Sequence, residues 1–174
     1  MIISKKPLSS QKGILYNNIL LLCRNKLFYT KLDLIDTFQN RIHLIFIHIS
    51  YIFIKIKQND KNIKYKEFYQ KLFDLVFKRI EINMREIGMS DTSINTNMRK
   101  LVKIFYAILI SCEKYKKMNN DEKNKFFNKY LEQNNIKNNI NNKGLIDYFN
   151  QYEAFCFDLS SDSVLSGELK FKYK

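Results

Sequence analysis

FDLVFKRIEINMREIGMSDTSI, residues Phe73 to Ile94, decides how this chain folds. Its first part reads as the end of a long helix. Tyr69, Phe73, Val76, Phe77, Ile80, Met84 and Ile87 fall on one broad face of a helical wheel. Phe68, Leu75 and Ile82 recur every seven residues on nearly the opposite side. A helix apolar on two sides needs neighbours on both, which places this one centrally in a bundle. Gly88 follows the last apolar residue, where a left-handed helix end favours glycine. Ser90, Asp91 and Ser93 then offer side-chain oxygens to cap the next helix. Helix, glycine stop and capped restart predict a helix–turn–helix corner at residues 85–94.

Working outward, the composition fits an all-α, single-domain bundle of about six helices. The 174 residues suffice for one domain with its own core, and 45% hydrophobic with 14% aromatic content excludes compositional disorder. Four glycines and one proline, Pro7, suit long helices and disfavour a turn-rich β architecture. Ile, Asn and Lys are abundant everywhere, a bias that reads as genomic, so Ile is not taken as a strand signal. Thirty Lys and Arg against 17 Asp and Glu give +13. That balance favours acidic partners: nucleic acid, a ribosome or an anionic membrane surface. The competing reading is lysine as the solubilising residue of an AT-rich genome, and charge alone does not separate the two. Cys23, Cys112 and Cys156 are far apart with no C-x-x-C, which points to buried thiols in a reducing compartment. The start, MIISKKPLSSQKG, reads as a flexible segment (1–13), neither a secretory signal nor an arginine-rich transit peptide.

In chain order, Ser9 or Ser10 caps a first helix to about Asn25. Asp36 or Thr37 begins the second, and Asp36 with Gln39 fits a capping box. Ile42 to Ile56 is almost wholly apolar. A membrane span needs roughly 20 apolar residues. This run is shorter and holds two His and Lys55, so it reads as a buried helix. His43 and His48 stand five apart on different faces and cannot form an i, i+4 metal pair. Asn59 to Asn62 is a turn, and the third helix spans about Tyr65 to Ile87. Its Glu67, Asp74 and Glu81 form a solvated, salt-bridged stripe. The fourth helix runs from about Ile94 to Lys117, with Arg99, Lys100 and Lys103 as a basic patch at its start. Asn120 or Asp121 caps a fifth helix to about Gln133. An Asn-rich linker (134–143) separates the core (14–133) from a C-terminal helix, about Leu145 to Leu159, and an irregular tail in which Gly167 and Phe171 tuck against the bundle.

The chain carries no G-x-G-x-x-G, phosphate loop or G-x-S-x-G. No catalysis, metal or cofactor is expected.

Phe73-Asp74-Leu75-x-Phe77 followed by Met84-Arg85-Glu86-x-Gly88-Met89-x-Asp91-x-Ser93-Ile94 resembles the corner of the ubiquinol–cytochrome c chaperone family. Arg24 with Phe28-Tyr29, Asp36-Thr37 with Arg41, His48, Lys100, Phe105-Tyr106, Tyr148 and Gly167-x-x-x-Phe171 are similar to further family positions, so the likeness spans roughly residues 14 to 171. Where the family often has Gly-Arg after Phe105-Tyr106, Ala107 and Ile108 stand here. The resemblance implies a non-catalytic assembly factor for the respiratory ubiquinol–cytochrome c reductase. It would bind newly made cytochrome b, beside the ribosome and with a small partner protein in mitochondrial relatives. The expected location is cytoplasmic, peripheral at the inner membrane, or the matrix side in a eukaryote. Carried over residue by residue, the partner-binding set is Asp36, Arg41, His48, Asp74, Arg85, Glu86, Asp91, Ser93 and Lys100. Arg85 and Asp91 equally suit a role that only caps and bridges helices. His48 is the one residue to examine for haem contact. The rival classes are a basic helical protein binding ribosome or nucleic acid, with no sequence-specific nucleic acid expected, and a membrane-embedded structural subunit.

Overall fold

Ser10 accepts the Gly13 N–H at 3.2 Å and opens α1, Gln11–Cys23. The computed structural model describes residues 10–58, 63–134 and 142–174. It continues through α2 (Leu27–Thr30), α3 (Phe38–Lys57), α4 (Ile63–Glu86), α5 (Asp91–Lys114), a 3-10 turn at Tyr115–Lys117, α6 (Asn120–Tyr130), α7 (Lys143–Asp158) and α8 (Ser161–Ser166). The expected helices are α1, α3, α4, α5, α6 and α7. The short α2 and α8 are additions. Among the described residues there is no strand, only one antiparallel bridge between Leu34 and Gln133.

The centre of the bundle is α3, which corrects the central place expected for α4. Fourteen of the 20 residues of α3 are buried, against seven of 24 in α4. The cause lies in the two sequences: Ile42 to Ile56 is apolar on every side, whereas α4 carries a charged stripe that must stay wet. Around α3 pack α1, α4, α5, α7 and α8. Its apolar run is a bundle core, and among the described residues no helix is long and apolar enough to cross a membrane. The two-sided reading of α4 survives in milder form. It contacts α1 as well as α3 and α5. Phe68 is buried, and Leu75 and Ile82 are half-buried.

Aromatic pairs fix the directions. Phe46 meets Phe77 and Phe53 meets Tyr69, so α3 and α4 run antiparallel. The chain turns at Gly88, and Phe73 and Phe77 both pack on Phe105, so α5 returns alongside α4. The start of α3, the end of α4 and the start of α5 therefore share one end of the bundle.

Of the two expected starts of α3, Thr37 is the cap, accepting the Asn40 N–H at 3.1 Å; the expected Asp36–Gln39 capping box does not form, because Asp36 is taken by Arg41. Asn119, one residue earlier than expected, caps α6 in a reciprocal box with Glu122. The tail also holds more order than expected. Ser160 caps α8, and Gly167 ends it at φ 85 beside α1, where an added Cβ would stand 2.6 Å from the Gln11 carbonyl oxygen. Phe171 then packs edge-on against Tyr148 and Tyr152, as anticipated for the tail. All three cysteines are buried and free.

Residues 1–9, the turn at 59–62 and positions 135–141 of the Asn-rich linker lie outside the described residues. Within the expected linker Asn142 is buried and bonded to Asn124, Asn128 and Gln133, and α7 already begins at Lys143.

Candidate functional site

The corner is built by a helix stop of the Schellman type. Gly88 adopts φ 83, its N–H donates to Arg85 O at 2.9 Å, and Met89 N–H donates to Met84 O at 3.1 Å. Nothing lies within 4 Å of a Cβ added at Gly88, so glycine is required there by backbone conformation alone. Ser90 restarts the chain by accepting the Ser93 N–H at 3.3 Å, and its hydroxyl also meets the Ser93 hydroxyl. Asp91 in the first turn of α5 complements the helix dipole.

Arg85 spans the turn. Its Nη1 donates to Asp91 Oδ1 at 2.5 Å on α5, while Nε and Nη2 donate to Glu81 Oε1 at 3.2 and 3.1 Å on α4. The two carboxylates raise the arginine pKa further, and Lys78 with Arg85 holds the Glu81 carboxyl below its ordinary value. Arg85 and Asp91 thus bridge the two helices while Ser90 does the capping, and with Arg85 51% and Asp91 77% exposed the bridge itself is a surface feature. Glu86 and Ser93 are exposed beside it, and Lys100 is exposed more than two turns further along α5. Glu81 belongs to this site although its sequence signal was only the charged stripe. The rest of that stripe is as expected: Glu67 pairs with Lys71, and exposed Asp74 accepts from Gln70 at 2.8 Å.

Asp36 and Arg41 meet at the same bundle end through a two-bonded pair, Nε to Oδ1 and Nη2 to Oδ2. Arg41 holds the Asp36 carboxyl below its ordinary value, and its guanidinium lies 5.5 Å over the Tyr29 ring. Tyr29 donates to Cys23 O at 2.9 Å, which ties α2 to α1. Sequence reasoning missed Asn40. Fully buried, it donates to Ile35 O and Glu132 O and accepts from Glu132 N–H, clamping the start of α3 to the chain after α6. An amide placed two residues before an apolar run was the available signal.

His48 corrects the expected set, because it lies wholly inside. A carbonyl only accepts, so Nδ1 carries the proton given to Leu44 O at 2.7 Å, and Nε2 accepts from the Tyr148 hydroxyl at 2.9 Å. Burial lowers its pKa to about 4, and the ring is neutral. Cys23 Sγ stands 3.5 Å from Nδ1, while Phe28, Tyr148 and Tyr152 pack edge-on around the ring. Both nitrogens are engaged within the fold, so His48 presents no face to a partner or a haem. The reason is α3 itself: every residue from Ile42 to Phe53 is buried, so its middle turns hide every face, His43 included. Among the described residues no group of three or more His, Cys, Asp or Glu is placed to hold a metal.

The family model described as "Ubiquinol-cytochrome C chaperone" matches residues 30–171. This chain belongs to the ubiquinol–cytochrome c chaperone family. Its fold agrees with the crystal structure of the Cbp3 homolog from Brucella abortus, at TM-score 0.79 and 19% identity, covering 94% of this chain and 89% of that one. No curated protein matches the chain significantly. The family span starts at 30, so Arg24, Phe28 and Tyr29 precede it, whereas the corner, Asp36, Arg41, His48, Tyr148 and Phe171 lie within it. Family membership points to a chaperone of ubiquinol–cytochrome c reductase assembly and to a non-catalytic protein.

Proposed function

We propose that the chain receives newly made cytochrome b during assembly of the ubiquinol–cytochrome c reductase, as a peripheral protein at the membrane face where that client emerges. The match to the family model over residues 30–171 carries this reading. The geometry supports it. Glu86, Asp91 and Ser93 are exposed at the corner, Lys100 is exposed further along α5, and Asp36 with Arg41 stands at the same end of the bundle as the corner. Arg85 holds the two helices of the corner in register, so the polar groups are positioned before a client arrives and less ordering is needed on contact. Contacts made by exposed polar groups suit a chaperone that must let go, because rim-type polar interactions support transient association.

Affinity capture of the tagged full chain from detergent-treated membranes tests the client. Cytochrome b should be recovered with the wild type and depleted with Arg85→Ala and Asp91→Ala. Recovery of the reductase's other subunits without cytochrome b would remove the client assignment.

A second reading, binding to RNA or the ribosome, has one observation in its favour. A cleft between α2 and the C-terminal residues is lined by Lys26, Lys31, Lys172 and Lys174 with Tyr173, and no carboxylate is among its lining residues. That reading predicts association that weakens steeply with salt and ignores changes at the corner.

A further inference from the structure

At the opposite end of α3, α4 and α5 from the corner, the bundle leaves an apolar groove of about 530 Å³. Phe53 and Ile54 of α3, Tyr65 and Tyr69 of α4, and Tyr106 and Leu109 of α5 line it. Tyr69 lies 4.1 Å from Phe53, ring to ring, and closes its floor. Large apolar side chains also stand at its mouth. Ile110 is 53% exposed and Ile63, one turn before the lining residue Lys66, is 72% exposed. Burying such groups in the fold was open to this sequence, as α3 shows, and here they face out.

Lysines surround the mouth. Lys57 and Lys66 line it, and Lys103 and Lys114 are exposed on α5 within one turn of Tyr106 and Ile110. Glu113, which also lines the groove, takes Lys57 at 3.0 Å, and Glu67 takes Lys71 at 3.2 Å; Asp74 bonds only the neutral Gln70 amide at 2.8 Å and keeps its charge, against Lys66, Lys103 and Lys114. Positive charge is left over around an apolar, tyrosine-rich opening.

We propose that this face docks on an anionic lipid bilayer. Ile63 and Ile110 would enter the boundary between headgroups and acyl chains. The tyrosine rings match the polarity gradient there, and the lysines reach anionic headgroups while their stems cover apolar surface. Charge decides between this occupant and an apolar segment of a client protein. Loops that flank membrane spans on the cytoplasmic or matrix side are themselves enriched in Lys and Arg, and a lysine rim repels them. An anionic surface attracts it, by roughly a fivefold gain in affinity per lysine. The inference deepens the membrane placement of the proposed function and rests on it for the compartment. The docking itself is a property of the purified chain.

The test is sedimentation of the purified full chain with vesicles of phosphatidylcholine alone or with one-third phosphatidylglycerol. The expected result is binding only to the anionic vesicles. Lys66→Gln with Lys103→Gln should weaken it roughly 25-fold, and Ile110→Asp about tenfold or more. Lys125→Gln with Lys172→Gln removes equal charge elsewhere and should change binding less than about twofold. Indifference of the wild type to vesicles overturns the proposal, as does equal binding to neutral ones. An equal loss in the Lys125/Lys172 control reduces the effect to net charge and also overturns it. Groove variants that bind vesicles like wild type but fail to restore the reductase in cells assign the groove to a protein instead. A chain that ignores vesicles yet still captures cytochrome b defeats the docking and leaves the chaperone reading standing.

Discussion

The corner and the centre of the bundle carry motif residues of one family and use them in opposite ways. At the centre, His48, Tyr148 and Phe28 are buried, and every polar atom of the histidine ring is satisfied inside. At the corner, Arg85, Asp91, Glu86 and Ser93 are exposed, and their ion pairs are those of a surface. Exposed pairs contribute little to stability, whereas a buried polar group stripped of its partner is costly. The difference teaches that a motif residue inside serves the fold, whereas one held at the surface at so little energetic gain is free for the contact that the proposed function assigns to it.

Substitutions separate the two roles. The largest expected effect is at the centre. His48→Ala leaves a cavity and removes the acceptor of the Tyr148 hydroxyl, and should lower unfolding stability by about 4 kcal/mol in urea titration. A fold that tolerates it would mean that the buried network is not structural. Gly167→Ala follows, at about 3 kcal/mol. Its φ of 85 disfavours a side chain, and the Cβ would collide with the Gln11 carbonyl.

Acid should act through the centre as well. The unfolded His48 titrates near 6.5 and the folded one near 4, so below 6.5 the unfolded chain binds the proton first. Stability is therefore full above about pH 6.5 and falls towards pH 4, by up to about 3 kcal/mol. His43, also lowered by burial, adds in the same direction. A His48→Leu chain that still folds should show a shallower slope over that window, and an unchanged slope would place the titration elsewhere.

At the corner the effects shrink. Gly88→Ala meets no neighbour and bears only the left-handed backbone, about 1 kcal/mol. Arg85→Ala should leave the urea midpoint almost unmoved while reducing assembly of the reductase. A large loss of stability from Arg85→Ala would merge the two regions and end the comparison.

Much of this was legible in the sequence, and for definite reasons. The glycine stop at Gly88 and the serine restart at Ser90 are local chemistry, so the corner could be read directly. Helical periodicity located the six longer helices. It did not say which one lies at the centre, because that depends on how many neighbours cover a helix and not on its own pattern alone. The charged stripe of α4 against the unbroken apolar run of α3 was the signal that should have weighed more. The same miss kept His48 in the expected partner-binding set. Asp36 was read as half of a capping box, whereas a guanidinium two-bonded to its carboxylate leaves Thr37 to do the capping. α8 is too short for periodicity to detect, although Ser160 and Gly167 mark its ends.

The most direct measurement is the reduced-minus-oxidised haem spectrum of membranes from cells lacking this chain. The chaperone role predicts that the cytochrome b signal of the reductase falls. The wild-type chain should restore it, and a stably folded Arg85→Ala, Asp91→Ala chain should not. A signal that is unchanged without the chain contradicts the role.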